Sequence, residues 1–521
     1  MQKNLVLAVV LSSLVYIGWY SYIGKKFEQP RAGAPAAAAA NGQQPAVPER
    51  AAPAFGTATP AAQAPAAAQP AADWKKDAVA AAAGKAEYFF YPETASIKSA
   101  VYEGPVTPIE LIPGSGQGFF ATSLPFSFKL KAKTADSLEF TAAGPGGLTA
   151  TKKFILSRDG GINSFSMTVQ NTGRTPQALP AWELTLGPGL GTAKSEEKEN
   201  PKLWRAAYAY QETGRKFPTV KDLKKGPADY DCVWAGVDNR YFLAAMAGGD
   251  IEKTRPFRRE EKVGENMAPL LVVPFAAEQL RPGESRNWET SFYLGPKDYP
   301  RLQQLGMGLD RSVDFGFFAP LAKLANSALT YFFRLTGNFG VAIIILSVLI
   351  QLLLTPLSFK SYKAMAVMKK IQPEMQSIQK RYKDDPKRMN QEVMELYKRH
   401  GTNPLGGCLP MLLQIPVFFA LFTALRNSWT LHGAPFAFWI KDLSAKDPYY
   451  VLPLVMGGIM FLQQHLSPQA SSDPAQAAMM KWMPVIFTFM FLSFPSGLVM
   501  YWLINSIWGF AQNMYLQKKM A

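Results

Sequence analysis

Cysteine and histidine are nearly missing from this 521-residue chain, which has two cysteines, Cys232 and Cys408, and three histidines, His400, His432 and His465. The cysteines lie in segments of different character, so no disulfide framework is expected. With no Cys/His cluster, neither a metal site nor a cofactor is expected. Acid is also scarce: 39 Asp and Glu stand against 55 Lys and Arg, a formal net charge of +16. Such a balance favours acidic partners, whether anionic lipid, nucleic acid or ribosome. There is no nucleophile elbow and no P-loop; Gly187–Ser195 is glycine-rich but lacks the Gly-Lys pair and the spacing. The long apolar segments near the C-terminus carry no Asp, Glu, Lys or Arg at their middles. That speaks against an ion-coupled transporter, which needs ionisable groups inside the membrane.

What the chain does have is apolar length in two places. Asn4–Ile23 is long enough to cross a hydrocarbon core of ~30 Å, so residues 1–24 read as an uncleaved anchor. The rival is a cleaved signal peptide, disfavoured because Lys25 and Lys26 precede the small-residue sites. Residues 25–85 are an Ala/Pro-rich linker that can bury little and is expected to be disordered. Residues 86–310 carry short strand-like runs (Phe126–Ala132, Ser164–Val169, Tyr241–Ala247) separated by Gly, Pro and Asn clusters, the pattern of an antiparallel β-sandwich. Over 311–337 the period becomes helical. Leu321, Leu324, Ala325, Ala328, Leu329 and Phe332 form one face, and Lys323, Asn326, Ser327, Thr330 and Arg334 the other, as in a helix lying at a membrane interface.

Residues 338–517 hold five apolar spans, near 339–358, 405–426, 449–466, 483–499 and 500–517. The fold class is therefore a membrane protein: an all-α bundle of five transmembrane helices with an N-terminal anchor helix and an all-β domain between them. The loop 359–403 carries eleven Lys/Arg against five acids and is cytoplasmic by the positive-inside rule. Both termini, including the tail 518–521, then lie inside and residues 25–337 outside, against the lesser vote of Lys25 and Lys26. Within that loop Met368, Ile371, Met375, Ile378 and Tyr382 share one helical face, as do Met389, Val393, Leu396 and His400. Asp385-Pro386 is a helix start and Gly401 a stop, so the loop reads as an antiparallel helical hairpin, kinked at Pro373. Its cations Lys369, Lys370, Lys380, Arg381, Lys387 and Arg388 are candidate docking residues for ribosome, targeting machinery or an acidic client segment. On the first span Ser347, Gln351 and Thr355 are spaced by four, and Gln414, Thr423, Gln463, Gln464, Thr488, Ser493, Asn505, Ser506 and Gln512 add polarity on later spans. Such residues either glue helices together, at ~0.6 kcal/mol per hydrogen bond, or line a groove that holds water.

Several long motifs then resemble one family. Asn403-Pro-Leu-Gly-Gly-Cys408-Leu-Pro410 with Gln414-Ile-Pro416, Met483-Pro484 through Thr488, and Phe494-Pro495-Ser496-Gly497 through Tyr501-Trp502 are similar to spans of the YidC/Oxa/Albino membrane protein insertases, of the Gram-negative type with a large periplasmic domain. Thr355-Pro356-Leu357 and the basic hairpin extend the match. The resemblance implies a non-enzymatic insertase and chaperone in the bacterial inner membrane, with a hydrophilic groove open to the cytosol and a supersandwich domain like that of galactose mutarotases. It implies nascent membrane-protein clients, the Sec translocon, anionic lipid and, more weakly, ribosome or targeting machinery as partners, and no nucleic-acid readout. An assembly scaffold without insertase activity of its own is the alternative. Alignment on Pro356 puts Gln351 where the family usually keeps an arginine, so the groove keeps polarity but loses charge. By the same resemblance Ser347 is a groove position, Tyr501 and Trp502 are an aromatic pair that contacts clients, and Met490 stands at another client contact. With Thr355, Gln414 and Asn505 these are the candidate groove residues. The β-domain segment has no histidine of its own, which weighs against mutarotase chemistry.

Overall fold

The computed structural model describes residues 76–112, 116–402, 409–466 and 474–520. The expected anchor, most of the linker and Cys408 lie outside them. Within these residues the chain builds a β domain followed by helices.

The main sheet is nine-stranded and antiparallel, in the order Thr219–Asp222, Arg205–Tyr210, Trp234–Asp238, Phe242–Ala247, Ser285–Pro296, Asn163–Asn171, Leu148–Ile155, Ser137–Ala143, Lys129–Lys133. Facing it is a four-stranded sheet ordered Phe257–Val263, Asn266–Phe275, Trp182–Leu186, Ala121–Thr122. Strict alternation, as in Asn163–Asn171 and Leu148–Ile155, buries Phe154, Phe165, Met167 and Val169 between the layers, with Lys152, Asn163 and Asn171 on the same inward faces, the expected half-buried strand period. The run Phe126–Ala132 is only partly strand. Phe126 and Phe128 plug the core, and pairing begins at Lys129, where every residue of the edge strand is exposed. Three lysines on that strand discourage edge-to-edge association. A further four-stranded sheet starts at Val79–Ala83, inside the stretch read as linker. Five small residues pair there with Ala86–Tyr91, and the partner strand supplies the bulk (Tyr88, Phe90) that they lack. The glycine-rich Gly187–Ser195 lies in the connection between strands Trp182–Leu186 and Arg205–Tyr210.

The far face of the large sheet is covered by the chain that leaves it. Ala207, Trp234, Leu243, Ala245 and Tyr293 share one apolar cluster with Leu302 on helix α1 (Tyr299–Leu305), with Leu309, Val313 and Phe315, and with Ala322, Ala325 and Leu329 on helix α2 (Ala319–Thr336). The β domain thus passes into the helices without a linker. Trp429, between later helices, belongs to the core of the β domain, with its ring 4.8 Å from that of Phe242 and 5.1 Å from that of His432. Burial pushes the His432 imidazole below its usual value, against the pull of Asp442 at 3.8 Å.

Helix α2 is rotated from the expected face. Ala322, Ala325, Asn326 and Leu329 are buried, while Leu321 and Leu324 are exposed with Tyr331 and Leu335. Small residues let α2 pack closely against its neighbours, which leaves the larger side chains outward. Helix α3 (Phe339–Arg381) runs from the first span into the hairpin and continues through Pro356 and Pro373. Its stretch Phe339–Met368, which contains 18 residues of mean hydropathy 2.4, is long and apolar enough to cross a bilayer. The Asn338 carboxamide oxygen caps it, accepting from Gly340 N and Val341 N. Helix α4 (Pro386–Arg399) folds back on α3, with Ile371, Met375 and Leu396 buried between them. Helices α5 (Leu409–Arg426), α6 (Val451–Leu466), α7 (Pro474–Phe491) and α8 (Ser496–Met520) follow. The last break therefore comes earlier than the spans 483–499 and 500–517 expected. Ser496 N donates to Ala445 O, and Gly497 N to Leu443 O, so these two residues start α8.

Candidate functional site

Helix α3 presents Ser347, Gln351 and Thr355 on one face because they recur every four residues, a little over one turn. Helix α8 presents Tyr501, Asn505, Trp508 and Gln512 at spacings of four, three and four. The two helices pack along these faces. Gln351 Nε2 donates to Asn505 Oδ1 at 2.7 Å. Thr355 Oγ1 donates to Gln351 O at 2.6 Å and accepts from Gln512 Nε2 at 2.8 Å and Trp508 Nε1 at 3.3 Å. That fills the one-donor, two-acceptor capacity of a hydroxyl. From α5, Gln414 Nε2 donates to Tyr501 Oη at 2.7 Å, one turn from Asn505 on α8. A polar seam thus runs Gln414–Tyr501–Asn505–Gln351, with Thr355, Trp508 and Gln512 beside it.

The seam is neutral. Each of its named groups is an amide, hydroxyl or indole, and each is bonded to another. Gln351 is 9% exposed and Tyr501 1%, while Thr355, Gln414, Asn505 and Trp508 are half-buried. On the opposite side of α3, Leu349, Leu352 and Leu353 are exposed, forming an apolar outer face.

Not every candidate joins the seam. Ser347 is fully buried, but its hydroxyl donates to Ile343 O one turn back and crosses to no other helix. Trp502 faces aromatic neighbours instead: its ring lies 4.9 Å from Phe418, 5.2 Å from Phe491 and 5.9 Å from Phe487. Met490 is exposed on α7 and is not brought to the seam. Trp508 was not singled out from the sequence, although its place in the 501/505/508/512 series was there to be read. In the hairpin, Asp385 caps α4 by accepting from Arg388 N. Lys370, Lys380, Arg381, Lys387 and Arg388 are all exposed, while the Lys369 side chain lies outside what is described. Among the described residues no group of His, Cys, Asp and Glu could hold a metal ion.

Residues 331–521 match the family described as 60Kd inner membrane protein, and residues 111–325 the YidC periplasmic domain. The chain is 43% identical over 406 residues to a membrane protein insertase YidC of Endomicrobium trichonymphae, covering 76% of each chain. It is 39% identical over 421 residues to that of Geobacter sulfurreducens, covering 78% of this chain and 76% of the relative. This chain belongs to the YidC family of membrane protein insertases. A crystal structure of an active YidC insertase with its first transmembrane domain resolved is 17% identical, covers 84% of this chain and 92% of its own, and superposes with a TM-score of 0.38. As a YidC family member the chain is an inner-membrane insertase whose clients are membrane proteins, and its β domain is the periplasmic domain of that family. The YidC resemblance drawn from the Met483–Thr488 and Phe494–Trp502 motifs is thereby confirmed.

Proposed function

We propose that the seam between α3, α5 and α8 is the conduit through which the polar flank of a client crosses, and that the protein acts without catalytic residues or cofactor. The supporting observation is the pair of neutral interhelical hydrogen bonds, Gln414 to Tyr501 and Gln351 to Asn505, one turn apart on α8. In hydrocarbon, an amide or hydroxyl that loses its partner costs several kcal/mol. A client's polar group can replace one seam partner by another at little net cost, since each interhelical bond is worth ~0.6 kcal/mol. Driving force comes from the client span, at a few tenths of a kcal/mol for each of about twenty apolar residues, so no nucleotide is needed. Tyr501 becomes available only when the seam parts. Trp502, half-buried among phenylalanines, and Met490, exposed on α7, offer the apolar surface along which the client helix leaves.

In this reading α3, α5, α6, α7 and α8 span the membrane together with an N-terminal anchor, making six spans with both termini cytoplasmic and residues 25–337 periplasmic. The basic hairpin of α3 and α4 receives ribosome, targeting machinery or an acidic client segment from the cytosol, and the supersandwich domain meets the Sec translocon outside. With Gln351 at the usual arginine position, clients with neutral polar flanks are handled by hydrogen bonding rather than by charge attraction.

The test is reconstitution of the full-length protein alone in liposomes with a two-span client. Insertion is expected without translocon. Gln351→Arg is expected to retain insertion and favour acidic-tailed clients. Loss of insertion in Gln351→Arg at normal expression refutes the seam as conduit. Failure of the wild type without translocon reduces the protein to an assembly scaffold.

A further inference from the structure

The connection between α5 and α6 is a rigid loop that displays aromatic rings outward. Ile440 and Leu443 are buried, at 3% and 1% exposed. Asp447, fully buried, accepts from Trp439 Nε1, Tyr449 N and Leu452 N. Phe436 O accepts from Asn338 Nδ2 at the start of α3, and Ala445 O and Leu443 O accept from the first residues of α8. The loop is therefore bonded to the starts of α3, α6 and α8 at once. On this frame Phe438 is 85% exposed, Tyr449 68% and Tyr450 37%.

Two of the three sit on unfavourable backbone, with φ +52° at Phe438 and +57° at Tyr450. For a bulky residue the left-handed region is a genuine outlier, which glycine would occupy freely. Such strain persists only where the surroundings enforce it. The Phe438 ring adds little to the fold, meeting the Trp439 ring only at a 6.1 Å separation. An aromatic is thus held outward at a cost where glycine would serve the turn better.

We propose that this loop is a lipid-interface anchor, with Phe438, Tyr449 and Tyr450 seated in the headgroup region of the outer leaflet. The three rings stand at the rim where the apolar helices begin, the depth at which aromatic belts form. Lys441 and Lys446 lie between them in sequence and are exposed, suited to lipid phosphates. Trp429, at the head of the same connection, belongs to the β-domain core, so the rim is the periplasmic one. The anchor rests on the proposed topology. It would hold the bundle at fixed depth on the side that carries the periplasmic domain.

The test uses the full-length protein with Cys232→Ser and Cys408→Ser, a nitroxide on Phe438→Cys or Tyr449→Cys, and liposomes of phosphatidylethanolamine and phosphatidylglycerol. The expected result at both sites is a several-fold higher ratio of oxygen to nickel-chelate accessibility than at Lys131→Cys on the exposed edge strand. Equal ratios at all three sites overturn the anchor. Protection seen only in native membranes containing translocon also overturns it, in favour of a protein partner. Client insertion measured on the same labelled samples separates the two readings: normal insertion with an aqueous Phe438 site refutes the anchor and leaves the conduit standing.

Discussion

Replacing Gln351 by leucine removes the donor to Asn505 and leaves the rest of α3 unchanged. The direct loss is the 2.7 Å bond, ~0.6 kcal/mol and at most ~1.7 for a hydrogen bond between membrane helices. Asn505 Oδ1 is then left without that donor in apolar surroundings, which raises the expected total to about 1–3 kcal/mol. A double-mutant cycle with Gln351→Leu and Asn505→Leu isolates the bond, because the double variant leaves neither partner orphaned. Unfolding of the full-length protein in mixed micelles, followed by tryptophan fluorescence, should give a coupling of about 0.5–1.5 kcal/mol. In liposomes Gln351→Leu should slow insertion of clients with polar flanks before it affects clients with short apolar flanks. A coupling of zero would mean that the seam is not closed in the bilayer. A coupling of the expected size with unimpaired insertion would make the seam structural glue and refute the conduit.

Lys152 is fully buried with no carboxylate partner; its Nζ donates to Thr94 O at 2.8 Å and Phe120 O at 2.9 Å, and burial pushes its ammonium down to about 7. The unfolded chain, with lysine near its usual value of about 10.4, then binds more protons than the native state between these limits, so β-domain stability should rise with pH across that window. Hydrogen exchange of strand Leu148–Ile155 at a series of pH values should show this rise, and Lys152→Met should flatten it. Asp238 is buried between Arg205, in a two-pronged ion pair at 2.9 and 2.6 Å, and Lys297 at 3.0 Å. Asp238→Asn leaves Lys297 without its carboxylate and Arg205 with only the exposed Asp222 at 3.8 Å, and should cost about 3–5 kcal/mol, seen as a sharp fall in the thermal midpoint of the periplasmic domain. At Gly457 on α6 an added Cβ would lie 2.0 Å from Thr488 Oγ1 of α7. Gly457→Leu should therefore destabilise the bundle by about 1–3 kcal/mol, and Thr488→Ala should recover part of that loss.

The features legible in the sequence were those with a strong period. Alternation disclosed Asn163–Asn171, the fourfold spacing disclosed the α3 polar face, and the paired stripes at Ile371, Met375 and Leu396 disclosed the hairpin. Boundaries were legible only where local chemistry sets them, as at Asp385-Pro386. The start of α8 was not, because its first amides are satisfied by Ala445 and Leu443, some fifty residues earlier in the chain. The strand Val79–Ala83 was hidden because alanine carries almost no pattern and takes its structure from the partner strand. The outward Leu321 and Leu324 were hidden because which stripe of α2 is buried depends on what packs against it. The seam was half visible: polar residues could be enumerated, but that Gln351 bonds Asn505, while Ser347 bonds only its own helix, is a fact of packing.

If the seam is the conduit proposed above, glutamine at position 351, where the resemblance implies an arginine, changes what kind of gate it can be. A buried arginine without a carboxylate must keep water or anions beside it, because an unpaired charge in a low-dielectric interior is prohibitive. A groove built on arginine is therefore wet at rest. Glutamine can instead be satisfied by one asparagine, so Gln351 is 9% exposed and the seam has no charge among its members. Closure costs nothing in orphaned groups, and opening costs only a few weak bonds of ~0.6 kcal/mol each. Such a seam stays shut without a client and yields to any chain that brings equivalent donors and acceptors. Selectivity then follows from matched hydrogen-bonding capacity. A client flank rich in serine, threonine, asparagine or glutamine exchanges partners one for one. In that proposal a strongly acidic flank finds no cation in the seam to neutralise it, and the exposed lysines and arginines of the hairpin are the groups left to receive it.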